Sequence, residues 1–263
     1  MNSKMRINQK IVKFSAGMVN EIEDYIVTEY PLTIFINGQE FATLVCTPSD
    51  MRELIFGFLA SEGVIRFADE IVSMSIDEAK GLAYVDLTAD FTTSQQFYSK
   101  RFIGSCCGKG RQFYFQNDAK TAKTSTSKTT ITAEQCLKLM KDMQEDSVVF
   151  HETGGVHNAA LCKPNEMIIK RTDIGRHNAL DKIYGYALLS KTFVRDKIIV
   201  ISGRISSEIL LKAAKIGVGI ILSKSAPTNL AIKLAEELNI TVVGFIRGHS
   251  FNVYSHSNRI KFP

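Results

Sequence analysis

Two cysteines stand side by side in RFIGSCCGKGR, residues 101–111, a stretch of basic residues and glycines with few bulky core side chains. The thiolate is the reactive form of cysteine, and neighbouring cations favour it. Lys100, Arg101, Lys109 and Arg111 supply them, while Gly104, Gly108 and Gly110 predict a mobile, exposed loop. Adjacent cysteines close an ordinary disulfide only with strain, so Cys106 and Cys107 are not read as a staple. A thiolate there either takes sulfane sulfur from a donor persulfide or attacks a disulfide. The spacing alone does not separate sulfur relay from redox sensing. Cys46, Cys136 and Cys162 fall on strand or helix patterns and read as small core hydrophobes.

A second set of polar groups lies downstream. Strand-like Lys197–Ser202 runs into Gly203-Arg204-Ile205-Ser206, Val218–Leu222 into Ser223-Lys224-Ser225, and Thr241–Ile246 into Arg247-Gly248-His249-Ser250. In open α/β sheets ligands bind beyond the carboxyl ends of strands. Two of these loops precede helix N-termini, where free amides and the dipole receive anions. Arg204, Lys224 and Arg247 add charge, which predicts an anionic or phosphate-bearing ligand. The plainer reading of Ser206 and Ser225 is that they cap helices. His157 in ETGGVHN and His177 in DIGRHN stand in glycine-flanked segments read as turns, and both are site candidates. Zinc is not expected: the deaminase pattern H-x-E with a later P-C-x-x-C is absent, since Asn158 and Ala159 follow His157 and only Cys162 lies beyond. No Walker or dinucleotide fingerprint occurs.

The elements that must position these groups are legible in part. Leu32–Ile36 and Phe41–Cys46 flank Asn37-Gly38, a hairpin signal. A helix follows, with Thr47 as expected N-cap, Pro48 at its first position, an apolar face of Met51, Leu54, Ile55, Phe58 and Leu59, and Gly63 as the stop. Residues 117–130, NDAKTAKTSTSKTT, carry no large apolar side chain and read as an exposed linker. The expected organisation is therefore an N-terminal α+β domain over 1–118 holding the cysteine loop, a linker over 119–130, and an α/β domain over 131–263. In the latter, Thr132 and Gln135 form a capping box ahead of Cys136, Leu139, Met140 and Met143. Strand, helix, strand, helix, strand then predict parallel strands covered by helices.

The chain has 263 residues, 45% of them hydrophobic and 22% charged, which reads as a soluble globular protein with a proper core. A net charge of +5 does not make the dense basic stripe of a nucleic-acid binder. No apolar run approaches a membrane span of about 20 residues, and no secretory signal opens the sequence. Five cysteines are an odd, sparse set, which points to reduced thiols in the cytoplasm.

Over about Thr28 to Ser255 the chain resembles the formate dehydrogenase accessory sulfurtransferases, the FdhD/NarQ family. The stretches that carry the resemblance are TEYPLTIFINGQEFATL, GFLASEGVI, GSCCGKG, ETGGVHNAAL, DIGRHNALDK, SGRISSEILLKAAKIGVGIILSKSAPTNLAIKLA and VGFIRGHSFNVYS. The resemblance implies a sulfur carrier. Such a protein takes a persulfide from a cysteine desulfurase and passes sulfur to Mo-bis(molybdopterin guanine dinucleotide) before that molybdenum cofactor enters formate dehydrogenase. It further implies a cytidine-deaminase-like three-layer α/β domain without zinc, a smaller N-terminal α+β domain and a homodimer. Phe245, Ile246, Arg247, Gly248, His249 and Ser250 form the segment the family associates with the cofactor, although His249 receives no role of its own. Many members carry C-x-x-C in the cysteine loop, whereas here the spacer is missing. Cys107 is the expected persulfide carrier and Cys106 its helper. A cofactor-binding chaperone with incidental cysteines is the alternative; it makes Arg204, Lys224 and Arg247 essential instead.

Overall fold

The computed structural model describes residues 4–88 and 122–263, with 101–103 as backbone. Cys106, Cys107 and the glycines and cations between 104 and 111 lie outside the described residues. A hairpin of β1 (Arg6–Ser15) and β2 (Met18–Val27) comes first and, among the described residues, pairs with no other strand. The hairpin had no counterpart in the sequence reading, because its apolar residues alternate with polar ones on both faces.

A five-stranded sheet follows. β3 (Tyr30–Ile36) and β4 (Gln39–Cys46) turn at Asn37 and Gly38, both at positive φ, as the Asn-Gly signal demands. Joined by β5 (Ile71–Asp77), β6 (Leu82–Leu87) and β7 (Arg101–Ile103), they stand in the order β5-β6-β3-β4-β7. Helix α1 (Met51–Ser61) covers one face, packing Leu54, Ile55, Phe58 and Leu59 against Leu32, Ile34, Ile36 and Leu44. Its start differs from expectation. The first helical residue is Met51, preceded by Asp50 in the left-handed region. Thr47 does not cap it, because the Thr47 backbone and hydroxyl are taken by the Asp173 carboxylate.

The second unit begins with β8 (Ile131–Thr132), α2 (Ala133–Glu145) and α3 (Val148–Thr153). The capping box forms as read: Gln135 N donates to Thr132 Oγ1 at 3.2 Å, and Thr132 N donates to Gln135 Oε1 at 2.8 Å. Then come β9 (His157–Lys163), β10 (Glu166–Asp173), α4 (Arg176–Leu189), β11 (Ile198–Ile201), α5 (Ser207–Ile216), β12 (Ile220–Ser223), α6 (Asn229–Glu237), β13 (Thr241–Arg247), β14 (Ser250–Ser255) and β15 (Ile260–Lys261). Six of these strands form one sheet in the order β10-β9-β11-β12-β13-β14, with β11, β12 and β13 parallel. The uninterrupted apolar runs of the parallel strands have a simple cause: both faces are covered. Ile198, Val200, Ile220 and Leu222 meet Cys136, Leu139, Met140 and Met143 of α2. Ile199, Ile201 and Ile221 meet Leu180, Ile209, Leu210 and Ala213 of α4 and α5.

Helix α4 also faces the other unit, through Tyr184, Leu188 and Leu189. It crosses α1 at two glycines. A Cβ on Gly57 would stand 1.7 Å from the Asp181 carbonyl oxygen, and one on Gly185 would stand 1.9 Å from that of Glu53. Neither backbone could approach so closely with a side chain between them. Part of the presumed linker is likewise packed rather than exposed. Ser125 and Ser127 are buried. Ser125 N donates to Leu238 O, and its carbonyl accepts from Asn239 Nδ2 at 2.8 Å. Small side chains signalled a loop, but here they let the strand-like segment lie against the second unit.

Candidate functional site

The three loops that follow β11, β12 and β13 meet at one edge of the six-stranded sheet. Ser223, the last residue of β12 and fully buried, donates from Oγ to Gly203 O at 2.7 Å and accepts from Ser225 N at 2.9 Å. The third loop closes on the second: Phe245 N donates to Ser225 O at 3.1 Å, and Arg247 Nε donates to Lys224 O at 3.3 Å. Gly203 lies tightly on His157 and Arg176, since a Cβ there would stand 3.3 Å from His157 Nδ1 and from the Arg176 side chain.

A cavity of about 480 Å³ opens beside this edge. His157, Ser202 and Lys224 line it from the strand ends, Asn158 from β9, and Gln144, Ser147, Phe150, His151 and Gly155 from the α2–α3 region. Among the described residues no carboxylate lines it. His157 Nδ1 stands 3.3 Å from Ser202 Oγ, which itself accepts from Asn158 N at 3.0 Å. Burial pushes the His157 imidazole below its ordinary value, the Arg176 charge adds to this, and Asp173 opposes it. The ring is neutral at pH 7 and offers a donor and an acceptor, while Lys224 brings positive charge. Such a lining suits an anionic, hydrogen-bonding ligand.

The predicted residues divide. His157 and Lys224 line the cavity, and Ser225 ties the second loop to the third. Neither histidine sits in a turn: His157 opens β9, and His177 lies in the first turn of α4. His177 Nε2 faces Glu208 Oε2 of α5 at 3.0 Å, and burial lowers its pKa. Ser206 is the cap of α5, its Oγ accepting from Ile209 N. Ile246 is a core residue against α2, only 1% exposed. Arg204 is exposed. Gly248 and His249 form the exposed turn between β13 and β14, Ser250 opens β14 opposite Arg247, and the Arg247 guanidinium lies 5.4 Å from the centre of the Phe245 ring.

Sequence reasoning passed over Asn158, Ser202 and Asp173. Asp173 organises the approach to α4 by accepting from Gly175 N and Asn178 Nδ2, each at 2.9 Å. Its spacing to Gly175 and Asn178 was the available signal. The three described cysteines are inert, for burial pushes the thiols of Cys46, Cys136 and Cys162 up to about 12. Among the described residues no three of His, Cys, Asp and Glu cluster closely enough to hold a metal ion, and no helix is long and apolar enough to cross a membrane.

The sheet order defines an α/β protein, and solved structures include one of this fold. A protein from Desulfotalea psychrophila, described as a formate dehydrogenase accessory protein, superposes with a TM-score of 0.79 over 98% of this chain and 100% of that one, at 24% identity. The model of the FdhD/NarQ family matches residues 27–261, and the chain belongs to that family. The sulfur carrier protein FdhD of Bacillus subtilis is 60% identical over 99% of this chain and all of its own. That of Halalkalibacterium halodurans is 60% identical over 100% of this chain and 98% of its own.

Proposed function

We propose that this protein is a cytoplasmic sulfur carrier serving formate dehydrogenase. The observation that carries this reading is the end-to-end 60% identity with sulfur carrier proteins. The chemistry of the chain's own thiols supports it. Three of the five cysteines are buried and held protonated, which leaves Cys106 and Cys107 for exchange.

The Cys107 thiolate attacks the outer sulfur of a cysteine desulfurase persulfide. A new S–S bond forms on Cys107, the old one breaks, and the desulfurase cysteine leaves as thiolate, so the step is redox-neutral. Lys100, Arg101, Lys109 and Arg111 stabilise the anion, and Cys106 is the helper thiol. The Cys107 persulfide is then offered to the molybdenum cofactor, Mo-bis(molybdopterin guanine dinucleotide), which is the substrate at the loop ends: the S–S bond would break, the outer sulfur would stay with the cofactor, Cys107 would leave as thiolate, and the two electrons that take the sulfur to sulfide would come from the cofactor in its reduced state. His157 and Lys224 in the cavity, and Arg204 and Arg247 beside it, receive its anionic and hydrogen-bonding groups. The six-stranded unit is a cytidine-deaminase-like domain that has exchanged zinc chemistry for this binding role, the chain divides near 119–130, and two copies act together.

The test is to incubate the protein with a cysteine desulfurase and cysteine, then weigh it intact and as peptides. A gain of one sulfur on the peptide holding Cys106 and Cys107, lost in Cys107→Ala, is the expected result. An unchanged mass, with the molybdenum cofactor still bound, would replace the carrier by the chaperone.

A further inference from the structure

Ser202, the residue after β11, stands where the sheet ends and the cavity begins. Its backbone continues the pairing with β9, Ser202 N donating to Asn158 O at 3.0 Å. Its side chain turns back on the same residue, and Oγ accepts from Asn158 N at 3.0 Å. A hydroxyl has one hydrogen to give. Among the described residues the only acceptor within its reach is His157 Nδ1, at 3.3 Å. The neighbouring Gly203 carbonyl is already taken by Ser223 Oγ. The reverse arrangement, with the ring hydrogen on Nδ1, would bring two N–H groups onto Oγ and leave the hydroxyl hydrogen without a protein acceptor.

We infer that Ser202 is a positioning residue for His157: its hydroxyl donates to Nδ1, the ring carries its hydrogen on Nε2, and His157 meets the ligand as a hydrogen-bond donor, not as a base. Which ring nitrogen bears the hydrogen is set by the bond that the other one makes. Gly203 holds the ring from the side. A Cβ there would stand 3.3 Å from His157 Nδ1 and from Cβ and Cδ of Arg176, so the Nδ1 edge is packed and Nε2 is the nitrogen left for the cavity. The charged and titratable groups around the ring come from four elements: Arg176 on α4, Asp173 opposite it on β10, Lys224 after β12 and His151 on α3. Burial and then the Arg176 charge oppose a second proton, which would break the bond from Ser202, while Asp173 favours it. The Nε2 hydrogen and the Lys224 ammonium therefore give the cavity two donors, and these select ligand groups rich in acceptors, such as a phosphate or a thiolate.

This inference rests on the reading of the cavity as the cofactor site and names how one of its residues acts there. The test is a long-range proton–nitrogen NMR correlation on the full chain with isotope-labelled histidine, the His157 signals being identified by their loss in His157→Gln. At pH 7 Nε2 should bear the hydrogen and Nδ1 should not; hydrogen on Nδ1 overturns the inference. Ser202→Ala should let the two tautomers mix, whereas Ser202→Thr, which keeps the hydroxyl, should hold the wild-type form. An unmixed wild-type tautomer in Ser202→Ala removes the role of Ser202. The wild-type spectrum decides the tautomer even where Ser202→Ala does not fold. Sulfur delivery to formate dehydrogenase is the second readout. His157→Gln sets an amide nitrogen where Nε2 stood and His157→Asn where Nδ1 stood, so the first variant should deliver at least about tenfold more than the second. The opposite order overturns the donor role. Equal delivery alongside the expected tautomer leaves the Ser202 bond standing and overturns instead the placing of the cofactor in this cavity.

Discussion

Asp173 and His157 are partners across the β9–β10 ladder, and they face opposite environments. Asp173 points into the seam between the two units, where every bond it can make is made: Thr47 N and Oγ1 at 3.0 Å, Lys182 Nζ at 2.8 Å, and Gly175 and Asn178 on its other oxygen. Lys182 is fully buried and reaches Thr47 Oγ1 and Thr172 O as well. Asp181, the residue before Lys182 on α4, is closed in the same way by Lys212 and Ser61. His157, by contrast, shares one hydroxyl at 3.3 Å and borders an open cavity. Polar groups completed inside the protein hold its parts together, whereas groups left with bonding capacity are free to meet a ligand.

The contrast can be broken most severely at Asp173. Asp173→Ala leaves Lys182 charged and unpaired in a dry seam and should cost about 3–5 kcal/mol of stability in urea unfolding. A loss near zero would mean that water reaches the seam. Gly57→Ala drives a methyl group into the Asp181 carbonyl and should cost about 3 kcal/mol, with α1 and α4 forced apart.

On the cavity side the effects on stability are smaller. The fold lowers the His157 pKa, so between the unfolded value near 6.5 and the folded one the unfolded chain binds more protons. Stability should therefore fall as the pH drops through that window, and unfolding titrations of His157→Gln at pH 7 and pH 5 should show a shallower fall. An unchanged slope would assign the loss to His177, whose pKa is lowered too. Smallest of all, Lys224→Ala should alter stability by less than about 0.5 kcal/mol. Its delivery of sulfur to formate dehydrogenase should nevertheless drop several-fold. A stability loss with delivery intact would move Lys224 to the structural side of the comparison.

The amino-acid order by itself determined the local pieces. Asn37-Gly38 specified its hairpin because those residues tolerate positive φ, Thr132 and Gln135 specified a helix start through their own side chains, and the apolar runs at 198–201 and 220–222 specified strands covered on both faces. The cation-bearing loops were legible for the same reason: their position follows from strand ends. What the tertiary structure decided are the contacts between distant segments. Thr47 had the right chemistry to cap α1, but a carboxylate 126 residues away claimed it. Ile246 stood in the expected ligand segment, yet a bulge in β13 left it in the core and Phe245 outside. Ser125 and Ser127 had the composition of a linker and became buried. In each case the local preference is worth about 1 kcal/mol, and a buried network or a packed core outweighs it.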